Sequence, residues 1–324
     1  MTRTPSAADR TAPKPPIRVR LASPRGFCAG VERAIRMVEE SLELYGAPVY
    51  VRHEIVHNNH VVARLSAMGA VFVESLDAVP ADRPVVFSAH GAPKSAHDEA
   101  ATRKLAKIDA TCPLVLKVHN QTRRHIAAGR KVILIGHQGH PEVIGTMGQA
   151  PEGAVTLVET VADVAALPEP EGPLAYATQT TLSVDETRDI LAALIARFPD
   201  IAGPVKEDIC YATSNRQQAV KATAKGVDLF IVIGSPTSSN SVRLVETARC
   251  AGAKHAMLME DAKAADWALL QNAKTIGLSS GASAPEMLVE EFLTELAARR
   301  TVTIETVETA RENIVFKSPL RLAS

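Results

Sequence analysis

Short, unbroken aliphatic runs separated by longer segments of helical period limit most strongly what this chain can fold into. VRLA precedes VERAIRMVEESLELYG, PVYVR precedes NHVVARLSAMG, and PVVFSA follows; in the later half KVILIG, DLFIVIG and TIGLSS each lead through a polar loop into a helix-compatible segment. Strands buried on both faces read as continuous apolar runs, and strands alternating with helices require right-handed crossovers between parallel neighbours. The pattern therefore predicts an α/β protein with parallel sheets. A chain of 324 residues exceeds one comfortable core, so several modules are expected, and with only 4% aromatic residues their cores must be aliphatic.

In parallel sheets, ligands bind beyond the carboxyl ends of the strands, where polar loops enter helix N-termini. Three cysteines occupy such loops. Cys28 lies in PRGFCAG, between a strand near Arg18 to Ala22 and a helix expected to begin near Val31. Cys112 lies in DATCP, where Pro113 suits a first helical turn, and Cys210 lies in DICYATSN, where Thr213 or Ser214 is expected to cap the helix that follows. They stand roughly a third of the chain apart, which reads as a repeat of architecture rather than of sequence. The expected division is a flexible tail over 1–16, modules over 17–111, 112–208 and 209–299, each with one of these cysteines, and a C-terminal extension over 300–324.

No apolar run reaches membrane-spanning length, and the first 17 residues contain no apolar export core, so the expected compartment is the cytoplasm. Cysteines there stay reduced, which leaves thiols, metal ligands or nucleophiles as their roles. An isolated cysteine is most often a small buried hydrophobe, but three in matching loops depart from that pattern. A helix N-terminus stabilises a thiolate and offers backbone N–H groups to the sulfurs of a metal cluster. Most iron–sulfur cubanes take four cysteines; three would keep one iron open to substrate, as a catalytic cluster needs. Cys250, near the end of SVRLVETARC, is expected to be a free thiol outside the site.

Nine of the ten histidines precede residue 141, and His57, His90, His137 and His140 fall in strand-end loops where an imidazole can hydrogen-bond an anion. GSPTSSNSVRL offers Ser238, Ser239 and Asn240 at a helix start, where free N–H groups could cradle phosphate. Ser283 in SGASAPE either binds ligand or caps a helix, with Glu286 completing a capping box. Lys plus Arg and Asp plus Glu both total 36, so the chain lacks the basic footprint of a nucleic-acid binder. Neither a G-x-x-x-x-G-K-[ST] nor a G-x-G-x-x-G loop is present, so no nucleotide cofactor is expected, and a small diphosphate fits the available groups. Glu142, with Thr180 and Thr181, can supply or relay a proton.

Together PRGFCAGVERAI, VRHEIVHN, SAHGAP, DATCPLV, GHQGHPEVIGTMGQ, QTTLSVDET, DICYATSNRQ, SSNS and GASAPE resemble, in order, the motifs of the LytB or IspH family of 4-hydroxy-3-methylbut-2-enyl diphosphate reductases, which act in the non-mevalonate (MEP) isoprenoid pathway. The resemblance runs from about Val19 to Glu286. It implies three α/β modules in a cloverleaf around one central 4Fe-4S cluster held by Cys28, Cys112 and Cys210. It implies further that His57, His90, His140, Thr180, Thr181, Ser238, Ser239, Asn240 and Ser283 line the substrate pocket, and that Glu142 gives the proton, through Thr180, to the departing hydroxyl. The expected products are isopentenyl and dimethylallyl diphosphate, and the expected electron donor is a ferredoxin or flavodoxin. No nucleic acid or membrane partner is implied. A non-catalytic zinc- or cluster-binding redox sensor, and a transferase using one cysteine as nucleophile, are the competing readings.

Overall fold

The computed structural model describes residues 14–319, so residues 1–13 of the expected tail and residues 320–324 lie outside the described residues. The first part of the chain runs β1 (Pro16–Ser23), α1 (Ala29–Tyr45), β2 (Val49–Arg52), α2 (Asn59–Ala67), β3 (Ala70–Val73), β4 (Pro84–Phe87), α3 (Lys94–Thr102) and β5 (Ala106–Asp109). It continues with α4 (Pro113–Ala127), β6 (Lys131–Ile135), α5 (Pro141–Met147), β7 (Val155–Val158), α6 (Val161–Ala166), β8 (Leu174–Thr178) and α7 (Val184–Arg197). The last part is α8 (Tyr211–Ala224), β9 (Leu229–Ile233), α9 (Ser239–Cys250), β10 (Ala256–Met259), α10 (Trp267–Asn272), β11 (Thr275–Ser280), α11 (Glu286–Arg299) and β12 (Thr301–Glu308).

The strands form three sheets, β10-β9-β11-β1-β12, β3-β2-β4-β5 and β7-β6-β8, and every pairing in them is parallel. The expected α/β class with three parallel-sheet modules is the observed one. The unbroken apolar runs are the inner strands: β4 and β9 are buried along their whole length. In β9, Leu229, Ile231 and Ile233 join Ile17, Val19 and Leu21 under Leu288, Val289, Phe292 and Leu296 of α11. The alternate residues Phe230 and Val232 pack on the opposite face against Val220, Ala224, Leu244 and Val245. Each such side chain contributes about 1.5–3 kcal/mol on burial, and because both faces are filled, a one-residue slip would misplace all of them.

The sheets do not follow contiguous thirds of the chain. β1, which lies in the 17–111 segment, pairs with β11 on one edge and with β12 on the other, and β12 comes from the 300–324 extension. The reason is burial: Ile17, Val19 and Leu21 bury one face of β1 in the core, and the backbone N–H and C=O groups of a strand held there need partners on both edges. The extension is therefore an integral strand, in register with β1 from Pro16↔Thr301 to Ser23↔Glu308.

Helix starts differ from expectation in two further places. Cys210 itself is the N-cap of α8, in place of Thr213 or Ser214, and the Thr213 hydroxyl lies 3.2 Å from the Cys210 Sγ. Ser283 caps no helix, because Pro285 holds the extended N-cap position of α11 and Glu286 turns outward to Arg25. Asn58 is the N-cap of α2, its side chain accepting from the Val61 N–H at 3.1 Å.

Candidate active site

Parallel strands carry their loops out at one edge, and here those edges surround one cavity of about 100 Å³. Cys28, Cys112 and Cys210 are the N-cap residues of α1, α4 and α8, and none uses its side chain as a cap. Each is tied by its backbone N–H to another loop of the cavity: Cys28 donates to the Ala282 carbonyl (3.2 Å), Cys112 to Ala89 (3.0 Å) and Cys210 to Thr180 (3.1 Å). The approach is close. A Cβ built on Gly30 would lie 2.7 Å from the Cys112 Sγ and 3.8 Å from the Cys28 Sγ, so glycine is required there by space alone.

The helix ends were expected to favour thiolates, and backbone N–H groups of Leu114 and Val115 do favour that form at Cys112. Burial outweighs them. Burial, then the charge of Cys28, pushes the Cys112 thiol up to about 12, and the same two causes push Cys210 up to about 11 against the Thr213 hydrogen bonds. Among the described residues, no three His, Cys, Asp or Glu side chains gather tightly enough to hold a single metal ion. All four cysteines are free, and Cys250 is exposed at the end of α9, away from the cavity.

Three imidazoles stand together in the cavity wall. The His57 and His90 rings stack at 4.1 Å between centroids, and His140 meets them edge-on at 5.6 and 5.9 Å. Burial, followed by the neighbouring imidazoles, lowers His90 well below the usual histidine range and brings His140 to about 3, so both are neutral near pH 7. His140 caps α5, with its Nδ1 accepting from the Glu142 N–H at 3.1 Å; its proton is therefore on Nε2, free to donate. The Nε2 of His57 and both amide atoms of Asn240 are buried without a partner. Unpartnered polar atoms in a cavity wall call for a polar ligand.

Hydroxyls complete this side. Ser238 is the N-cap of α9 and accepts from the Ser241 N–H (3.3 Å); Ser283 donates to the His57 carbonyl (3.0 Å) and reaches the Ser238 hydroxyl (3.3 Å). Ser239 donates to the Thr181 carbonyl at 3.3 Å. No Lys or Arg is among the lining residues. An anion bound here would meet helix N-termini, N–H donors and hydroxyls.

Glu142, 2% exposed, lines the same cavity. Its Oε1 accepts from the Thr180 N–H at 2.7 Å and its Oε2 from the Thr180 hydroxyl at 3.0 Å. Burial raises its pKa to about 7 although both Thr180 bonds oppose the rise. A carboxyl poised near neutrality can give and take a proton under ordinary conditions.

Cys28, Cys112, Cys210, His57, His90, His140, Glu142, Thr180, Thr181, Ser238, Ser239, Asn240 and Ser283 thus all line the one cavity. His137 does not; its backbone N–H donates to Gln179 Oε1. Gln179, which no motif in the sequence singles out as a site residue, reaches with its Nε2 both Thr181 Oγ1 (2.9 Å) and Ser239 Oγ (3.4 Å) and joins the loops after β8 and β9. An amide beside the two threonines of a strand-end loop was the available signal. The role of Thr213 beside Cys210 was masked by its suitability as a cap.

The sequence model of the LytB protein family matches residues 19–297. A 4-hydroxy-3-methylbut-2-enyl diphosphate reductase of Phenylobacterium zucineum is 61% identical over 312 residues, 96% of this chain and 99% of that protein. That of Hyphomonas neptunium is 60% identical over 311 residues, 96% of this chain and 99% of the relative. The solved structure of the E-1-hydroxy-2-methyl-but-2-enyl-4-diphosphate reductase from Plasmodium falciparum superposes with a TM-score of 0.92 at 40% identity, covering 95% of this chain and 98% of that one. A second structure, of an (E)-4-hydroxy-3-methyl-but-2-enyl diphosphate reductase described as the terminal enzyme of the non-mevalonate pathway, gives 0.63 at 31% identity, over 87% and 99%.

Proposed function

The chain belongs to the LytB family, and from that premise we propose that it reductively dehydroxylates (E)-4-hydroxy-3-methylbut-2-enyl diphosphate to isopentenyl and dimethylallyl diphosphate, with Cys28, Cys112 and Cys210 holding one 4Fe-4S cluster. The observation that carries the proposal is the meeting, in one cavity, of the thiols of three N-cap cysteines and the Glu142–Thr180 pair. The donor set fits such a cluster. Two of its thiols are kept protonated by burial and by neighbouring sulfur charge, which a cationic iron–sulfur core would offset.

When bound, the cluster supplies electrons one at a time and Lewis acidity at an iron without a protein ligand. The remaining work falls to the chain. The imidazoles of His57, His90 and His140, the Ser238, Ser239, Ser283 and Thr181 hydroxyls, and the Asn240 amide bind and orient the diphosphate. Val31, Val56, Leu114 and Val115, which also line the cavity, keep water from the allyl group. Two electrons and two protons are consumed. Glu142, through the Thr180 hydroxyl, delivers one proton to the departing oxygen, which leaves as water; the other forms a C–H bond at either end of the allyl unit. The electrons come from a ferredoxin- or flavodoxin-type donor, and the reaction belongs to the cytoplasm, where four free thiols stay reduced. No described helix is long and apolar enough to cross a membrane.

Anaerobic purification followed by spectroscopy and assay with a reduced one-electron donor tests the proposal. Expected is a brown protein that consumes the allylic diphosphate, and that loses cluster and turnover in each of Cys28→Ser, Cys112→Ser and Cys210→Ser. A colourless zinc protein, a cluster protein inert toward the diphosphate, or dependence on only one of the three cysteines would overturn it.

A further inference from the structure

We propose that Arg33, Lys117 and Arg216 close a ring that sets the relative positions of the three cavity thiols, each cation standing on one cysteine's helix and gripping the loop that carries the next cysteine. The inference deepens the reading of the thiols as a joint ligand set and rests on it. Arg33 lies on α1, a turn and a half beyond Cys28, and its Nη1 donates to the carbonyls of Ala110 (3.4 Å) and Thr111 (3.1 Å), immediately before Cys112. Lys117 occupies the same place on α4, beyond Cys112. Its Nζ donates to the carbonyls of Lys206 (2.7 Å) and Glu207 (2.8 Å) and to the Asp208 carboxylate (3.0 Å), just before Cys210. Arg216 stands one residue further along α8, six beyond Cys210 rather than five. Its Nε and Nη2 donate to the Gly26 carbonyl (3.1 and 2.8 Å), and Nη2 also to Phe27 (3.2 Å), immediately before Cys28.

The links run from the Cys28 helix to the Cys112 loop, from the Cys112 helix to the Cys210 loop, and from the Cys210 helix back to the Cys28 loop. A long cationic side chain can span from the second turn of one helix to the approach of another and satisfy two carbonyls there. The setting is costly for a charge: Arg216 is wholly buried and Arg33 nearly so. Apolar residues would fill the same volume without the desolvation cost, so what these side chains add is direction. Arg216 Nη1 donates also to the Ala212 carbonyl of its own helix and to Glu312, and Arg33 Nε to the Lys317 carbonyl, Glu312 and Lys317 both coming from the segment after β12. In a closed ring, loss of one link loosens all three loops; in an open chain it loosens one.

The test compares Lys117→Met, Lys117→Arg and Arg197→Met in the full-length protein as purified anaerobically. Lys117 is one-third exposed, which lets methionine replace it without an overpacked core. Arg197 grips the carbonyls of Val164, Ala165 and Leu167 at the end of α6 and touches no cysteine loop, so it controls for the loss of a carbonyl-binding cation. In Lys117→Met, amide hydrogen exchange is expected to speed up about tenfold, the net worth of a charge-assisted bond, in 26–30 and 110–114 as well as in 206–212. Removal of iron by a chelator is expected to speed up by about the same factor. Lys117→Arg restores both, and Arg197→Met changes neither. Faster exchange confined to 206–212, wild-type exchange throughout, or the same response in Arg197→Met overturns the ring. Wild-type protein that carries no iron would refute the cluster reading instead, and the exchange measurement decides the ring in either case.

Discussion

Replacing Glu142 by glutamine separates the chemical use of this carboxyl from its cost to the fold. Burial lifts its pKa from 4.5 to about 7. At about 1.4 kcal/mol per pH unit, the folded state therefore holds the proton more tightly than the unfolded chain by about 3 kcal/mol. The sign follows from the raised value. Below pH 4.5 both states are protonated and the group is neutral for stability; between 4.5 and 7 the unfolded chain ionises first, so stability falls as pH rises; above about 7 the full penalty is in force. Glu142→Gln removes that penalty, and its amide can still accept from the Thr180 N–H and donate to the Thr180 hydroxyl. In urea unfolding the variant should match wild type at pH 4.5 and exceed it by up to about 3 kcal/mol at pH 8. Its turnover should fall by about 10²–10⁴, the usual worth of general acid catalysis, with the cluster spectrum unchanged. Wild-type kcat should itself decline as pH rises through about 7, because the donor is the protonated form. Equal stability of the two proteins at pH 8 would refute the burial argument, and wild-type turnover would remove Glu142 as donor.

Other consequences can be measured separately. Gly30→Ala puts a methyl group 2.7 Å from the Cys112 Sγ, so it should fold and yet retain little iron, as metal analysis of the purified protein will report. Because no Lys or Arg lines the cavity, KM for the diphosphate should change little as salt is raised from low to physiological strength; a steep salt dependence would mean that surface cations bind the substrate. Phe292→Ala empties the core between β9, β11 and α11 and should cost about 3–5 kcal/mol in denaturant unfolding; a loss under 1 kcal/mol, below that range, would mean the core collapses around the gap.

What the sequence determined by itself is what local chemistry controls. Continuous runs such as LFIVI and VILI identify buried parallel strands, since only a strand covered on both faces tolerates them. The loops that follow are then where a ligand is expected, and every candidate named in them except His137 lines one cavity. Helix starts were legible to within a few residues, the errors at Cys210 and Ser283 arising where several capping types stand side by side. Tertiary structure alone decided the matters that depend on partners far along the chain. β1 takes β11 and β12 as neighbours because its buried edges need them, although VTIETV carries no mark of the sheet it joins. Glu142 becomes a near-neutral acid only because distant elements exclude water from it, and a burial energy is invisible in GHPE. Likewise Arg33, Lys117 and Arg216 read as ordinary helix surface cations until the fold brings each to carbonyls scores of residues away, where no solvent competes for Arg216.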